Sequence, residues 1–261
     1  MRSLRRVFGK WLLRAALSLV ALIALYISSL AFPYPAFAHK ARVGEFAVYS
    51  TTPLSEDLGR TIDDVRARIA AMENAETGAR CRIFICNGRL YSVFASLTRR
   101  TSNSMAIGLS AFRNIYVNEP KIRFVAANNP AGIRHSRFEG NLAEVIAHEV
   151  AHFNVVRSLG YRASLRIPVW KSEGFAEYQA NLAAARADSA YSFVERIDLL
   201  RNDAFWGEGL PARELFEWHL LVEFLAGARG FGLNDLLDDT VTEAAAREEM
   251  FAWRERQRSP R

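Results

Sequence analysis

The residues best equipped for chemistry are His148-Glu149-Val150-Ala151-His152, which match the pattern H-E-x-x-H. On an α-helix, residues four apart differ by about 40° in azimuth and about 6 Å in height, so both imidazoles can converge on one ion. Glu149 stands about 100° round the axis from His148, close to such an ion without being forced to bind it. That is where a base for a metal-bound water is needed. Zinc brings the pKa of its water to about 7, and a neighbouring carboxylate can then take the proton as the water attacks a carbonyl. At ordinary residue frequencies chance produces the pattern in roughly 1% of chains of this length, so two histidines that merely share a helix are the weaker reading.

The geometry requires a helix through the motif. Asn141 is a predicted N-cap, with Glu144 three residues on completing a capping box. Leu142, Val145, Ile146, Val150 and Phe153 give the segment apolar faces, and Gly160 marks its end. Upstream, Ile62, Val65, Ile69 and Met72 share one side of a predicted helix over Thr61 to Asn74. A hairpin is expected over 81–95, with Arg82-Ile83-Phe84-Ile85 turning at Asn87-Gly88 into Leu90 to Phe94. A second is expected where Asn114 to Val117 and Ile122 to Ala127 flank Asn118-Glu119-Pro120-Lys121, followed by a loop Asn128-Asn129-Pro130-Ala131-Gly132. Downstream, helical patterns cover Ser172 to about Arg186, Tyr191 to Leu200, Arg213 to Ala228 and Thr242 to Glu255, and Arg254 to Arg261 reads as a solvated end. Without internal repeats, strands followed by helices point to one α+β domain with a small N-terminal sheet and a mostly helical C-terminal half.

A catalytic zinc needs a third protein ligand and an open position. Trp170-Lys171-Ser172-Glu173-Gly174-Phe175-Ala176-Glu177-Tyr178 offers Glu173, and 20 residues separate it from His152, with Gly160 and Pro168 between them to turn the chain back. The motif and this segment together resemble the gluzincin metallopeptidases, whose second helix carries a glutamate ligand in a W-x-x-E-G-x-A-type stretch. The resemblance is specific over about residues 139–186. It implies a zincin-like domain, Zn2+ as cofactor, His148, His152 and Glu173 as metal ligands and Glu149 as the catalytic base. It also implies that Glu177, one turn beyond Glu173, accepts a hydrogen bond from a ligand histidine; an exposed helical glutamate is the equal alternative. Such enzymes commonly steady the oxyanion with a tyrosine or histidine from the helical region. His219 is the best candidate here and Tyr191 the next, against the plainer reading of His219 as a core residue. Gly174 would serve a close approach of helices near the metal. His39 and His135 read as surface residues.

The chain begins with a different signal. Ala15 to Phe32 carries no charged side chain and as a helix would rise about 27 Å, close to the thickness of a bilayer core. Five of the 34 basic residues and none of the 28 acidic ones precede residue 39, so the chain beyond that point is nearly neutral. The basicity therefore concerns the membrane, and nucleic acid is not an expected partner. Residues 1–38 read as a basic cytoplasmic flank and a signal-anchor, and 39–261 as an extracytoplasmic domain, periplasmic in a bacterium. Ala36-Phe37-Ala38 also suits a signal peptidase, and cleavage after Ala38 would give a secreted protein. Cys81 and Cys86 lie too far apart on one extended strand, roughly 16 Å, to form a disulfide or to share a metal, and are expected as free thiols.

These readings converge on hydrolysis of a peptide bond in a peptide or protein substrate. The expected strand Ile122 to Ala127 would pair with that substrate at the upper edge of the cleft. Two other functions fit the same residues: a catalytically silent zincin-like scaffold that binds a protein, for which a retained Glu149 would be superfluous, and a zinc amidase acting on cell-wall amides. A structural membrane protein with a chance motif would hold no stoichiometric metal.

Overall fold

In the computed structural model the chain is described over residues 2–73, 75, 80–128, 142–187, 192–203, 206 and 213–258. Helix α1 (Arg2–Ala31) contains a stretch, Lys10–Ala31, of mean hydropathy 1.9 that is long and apolar enough to cross a membrane. A 3-10 turn at Tyr34–Ala36 leads into the hairpin of β1 (His39–Val43) and β2 (Phe46–Ser50), where Val43 pairs with Phe46. Gly44, at φ 61°, takes the left-handed conformation that such a two-residue turn demands. There follow α2 (Leu58–Ala71), β3 (Arg82–Cys86), α3 (Gly88–Leu97), β4 (Ala106–Leu109), β5 (Asn114–Asn118) and α4 (Glu119–Asn128). Among the described residues the later elements are helices: α5 (Leu142–Leu159), the short α6 (Tyr161–Ser164), α7 (Val169–Ala187), α8 (Phe193–Arg201), α9 (Arg213–Arg229) and α10 (Glu243–Arg258). The chain is thus α+β, with a five-stranded sheet near the N-terminus.

The sheet has the order β1-β2-β3-β5-β4, with β2, β3 and β5 parallel and the two outer strands antiparallel. Alternation along the strands gives it two apolar faces. Ile83, Ile85, Ile115 and Val117 face Ile62 and Val65 of α2 and Ile146, Val150 and Phe153 of α5. Phe84, Cys86, Ile107 and Tyr116 face Tyr91 and Phe94 of α3 and Leu30 at the end of α1. A separate core joins Trp170 and Phe175 of α7, Ile197 and Leu200 of α8, Leu220, Leu221 and Leu225 of α9 and Met250 of α10. Helix α5 therefore lies between the sheet and the helical half, where its chemistry can be reached from both.

Both expected hairpins are corrected. After β3 the chain enters a helix: Asn87 is an N-cap whose side chain accepts from the Leu90 N–H at 2.9 Å, and Gly88 is the first residue of α3. β3 has parallel neighbours on both sides, so no edge remains for a returning strand, and Leu90, Tyr91, Phe94 and Ala95 follow a helical period. Ile122 likewise belongs to α4. Pro120 sits in its first turn, where a missing N–H costs nothing, and Glu119 is held by Arg123 one turn on at 2.6 Å and by the Thr52 hydroxyl at 3.0 Å. Cys81 and Cys86 are buried and not joined in a disulfide, and burial pushes the Cys86 thiol up to about 12. The expected cap Asn141, residues 129–132 of the loop and the last residues of the tail lie outside the described residues.

Candidate metal centre

Two helices build the centre. α5 presents His148 and His152 from one face, and α7, packed across it, presents Glu173 from its first turns. His148 Nε2 lies 3.1 Å from His152 Nε2 and 3.2 Å from Glu173 Oε2, and His152 Nε2 lies 3.6 Å from Glu173 Oε2. A tetrahedral cation with bonds of about 2.0–2.2 Å separates its ligand atoms by about 3.3–3.6 Å. The three donor atoms thus fall close to the vertices of one tetrahedral face, and these residues could hold a metal ion.

The ring nitrogens turned away from this triangle also have neighbours. Glu177 is buried, and its Oε1 lies 3.1 Å from His148 Nδ1, in ion-pair contact though not well aligned as a hydrogen bond. Ser172 Oγ stands 3.5 Å from His152 Nδ1. Behind Glu177, the Asn181 amide donates to Glu177 Oε2 at 3.3 Å and to Glu144 Oε1 at 3.2 Å. Arg68 of α2 donates to the Asn181 side-chain oxygen at 3.2 Å and to the Ala180 carbonyl at 3.1 Å, and is itself paired with Asp64. A buried line of polar groups thereby ties the orientation of His148 to a third helix. Burial alone would lower the pKa of His148, but the carboxylates of Glu177 and Glu173 outweigh it and hold it well above the ordinary histidine value. Burial would raise the Glu173 carboxyl, yet its contacts with His148 and His152 hold it far below the usual carboxylate range.

Glu149 lies against the sheet. The residue it meets is Gly108 of β4, a strand the sequence pattern did not reveal. A Cβ on Gly108 would overlap Glu149 Oε2 and fall 2.8 Å from Phe153 Cε1, so only glycine lets the strand come this near. Burial raises the Glu149 carboxyl, while His148, His152 and the Gly108 N–H pull it down again without cancelling the shift. A carboxyl raised toward neutrality is a better match for proton transfer at physiological pH. Gly108→Ala is expected to displace the Glu149 carboxylate, the flexible partner in the overlap, and leave the triangle intact. If Glu149 serves as a base, turnover by the variant should fall by about 10²-fold, as for a group moved by an ångström, with metal content unchanged in elemental analysis.

Gly174 answers to the third layer. A Cβ there would strike the Trp218 carbonyl oxygen and lie 2.7 Å from its carbon, so glycine permits α7 to rest directly on the backbone of α9. Because that neighbour is main chain, it cannot rotate aside. Gly174→Ala should cost about 1–3 kcal/mol, read as a lower denaturation midpoint, and should weaken metal binding through the adjacent Glu173.

His219 is buried in the helical core, with its Nε2 3.1 Å from Glu223 Oε2, and Glu223 is gripped by both terminal nitrogens of Arg196 at 2.6 Å. These contacts match the plainer reading of His219 as a core residue; the oxyanion role expected from the resemblance has no such contact behind it. His39 is half-buried on β1, and His135 and Tyr191 lie outside the described residues. Arg68 and Asn181 escaped sequence reasoning and Glu144 was expected only as a capping residue, although Glu144 and Asn181 carry a signal: each lies one helical turn from His148 or Glu177 on the same face. No protein-family model matches the chain, and no curated protein sequence is significantly similar to it.

Proposed function

We propose that this protein is a membrane-tethered zinc metallopeptidase of gluzincin type, hydrolysing peptide bonds with Glu149 as general base. The observation that carries the reading is the triangle of His148 Nε2, His152 Nε2 and Glu173 Oε2, whose sides of 3.1, 3.2 and 3.6 Å suit three ligands of one tetrahedral ion. Two imidazoles and one carboxylate are a donor set that suits zinc, and Lewis-acid polarisation of a carbonyl with acidification of a water is the chemistry it would supply.

The protein's own groups do the rest. Glu177 and Ser172 stand at the far nitrogens of the two imidazoles, at 3.1 and 3.5 Å, where they can orient the rings. Glu149 takes a proton from the attacking water and hands it to the departing amine nitrogen. β4, not the segment 122–127, forms the edge of the sheet beside Glu149, hydrogen-bonded to β5 along one side only among the described strands. An extended substrate can add itself along the other side through backbone hydrogen bonds, which select extended chains rather than particular side chains. The five cations before the apolar run support a domain on the extracytoplasmic side.

Elemental analysis of the full chain in detergent tests the metal. About one zinc per chain is expected, reduced to trace levels in His148→Ala and strongly lowered in Glu173→Ala. A metal-free wild-type protein after zinc supplementation, or Glu173→Ala with undiminished zinc, would sink the assignment.

A further inference from the structure

The apolar helix does not stop short of the domain; its last turn is built into it. The final carbonyls of any helix lack intrahelical partners, and those of α1 find theirs in side chains from the sheet. Leu30 O accepts from Asn114 Nδ2 at 2.8 Å and from the Tyr116 hydroxyl at 2.6 Å, and Ala31 O accepts from Arg82 Nη1 at 3.3 Å. The Arg82 cation also complements the negative end of the helix dipole. Leu30 and Ala31 are buried, and beyond them the rings of Tyr34 and Phe37 pack on Tyr49 and Phe84 at centroid distances of 4.9 and 5.1 Å. A return contact runs from the helix to the domain: the Tyr26 hydroxyl donates to Leu97 O at 2.7 Å, in the last turn of α3.

Removal of residues 1–38 would strip this arrangement. Asn114 and Tyr116 are fully buried, and their polar atoms would lose the acceptors that make burial tolerable. Phe84 would lose the cover of Leu30 and Phe37. The small-residue site is itself poorly presented, since Tyr34–Ala36 is wound into a 3-10 turn and the Phe37 ring packs against Phe84, whereas proteases take extended strands.

The contact of Tyr26 with Leu97 also sets a height. Tyr26 lies five residues before the end of α1, about 7–8 Å down the helix, inside the membrane-compatible stretch. The end of α3 is therefore level with the last turns of the apolar span. Just past Leu97 the chain reverses: Arg100 N–H bonds Ala95 O at 2.8 Å and Arg99 N–H bonds Ser96 O at 3.2 Å, with Arg99 in the left-handed region at φ 55°. Arg99 and Arg100 are both exposed there, as is Val93 one turn before Leu97. Two cations and an apolar side chain at the level where a bilayer meets water fit the phosphates of anionic lipids.

We infer that α1 is a permanent anchor clamped into the folded domain by Asn114, Tyr116 and Arg82, and that the clamp lays the end of α3, with Arg99 and Arg100, on anionic phospholipid headgroups. The same clamp fixes the height of the metal centre. Asn114 pairs with Leu109, the neighbour of Gly108, and Gly108 abuts Glu149.

The test uses the full chain and does not depend on metal or turnover. Expressed in a bacterial host, the protein should be recovered from membranes with its N-terminus intact by mass; a soluble product beginning at His39 would overturn the retained anchor. For the surface, Arg100→Cys and, as a distant exposed control, Arg256→Cys take a fluorophore each, since Cys81 and Cys86 are buried. In nanodiscs containing phosphatidylglycerol, a shallow doxyl-labelled lipid should quench position 100 several-fold more than position 256. Equal quenching at the two positions would show a domain tumbling freely on a tether. Tyr26→Phe removes one hydroxyl from an exposed residue without touching the core, and should weaken the quench at position 100; an unchanged quench would remove the Leu97 contact from the clamp.

Discussion

A Glu149→Gln variant is expected to bind zinc as the parent does and to lose turnover by about 10²–10⁴-fold, the range that a positioned proton acceptor contributes. The two halves of this result have separate physical grounds. Glu149 lies outside the triangle of His148, His152 and Glu173, so its charge is not needed to complete a ligand set. Glutamine keeps the size that fits against Gly108 but cannot accept a proton at neutral pH. The loss should therefore fall on kcat rather than KM. Assay of a quenched extended peptide, beside elemental analysis of the same sample, decides the matter. Loss of zinc together with turnover would make Glu149 a structural residue, and full activity would place the base elsewhere.

How far such a centre can be read from sequence depends on which interactions set each residue's position. His148, Glu149 and His152 were legible because one helix fixes their relations, and helical spacing is written directly in residue numbers. Glu173 needed a second helix to fold back, and only a familiar segment pattern suggested it. Gly108 could not be found: it sits on a four-residue strand whose place beside α5 follows from the crossover β3-β5-β4, and no local pattern encodes that order. Arg68 contacts a helix more than a hundred positions away. The two misread hairpins share a cause. Asn87-Gly88 and Glu119-Pro120 are turn signals by type, but each sits where a parallel strand ends and a helix starts, and caps and turns draw on the same residues. Sheet neighbours on both sides decided between them, and those are tertiary facts.

Glu223→Gln should be among the most destabilising conservative substitutions in the helical half, by about 3–5 kcal/mol. Arg196 is 1% exposed, and both terminal nitrogens of its guanidinium rest on the Glu223 carboxylate. A neutral amide would leave a buried cation short of its counter-charge. The pH dependence has a definite sign. Burial would raise the Glu223 carboxyl, but hydrogen bonds from His219 and Arg196 overcome this and depress it well below the ordinary value. A group depressed on folding contributes stability that is present above its unfolded pKa, about 4.3, and is lost as pH falls through the folded value. The parent should thus weaken below about pH 4.3, and the variant, already weakened at neutrality, should lack this part of the acid limb. Denaturation followed by tryptophan fluorescence reads the effect, because Trp170, Trp206, Trp218 and Trp253 all pack on this core. The same variant separates the two roles open to His219. If the cluster is only a strut between α8 and α9, zinc content and turnover per folded molecule will survive; if turnover per folded molecule falls while zinc is kept, His219 and its partners belong to the chemistry after all.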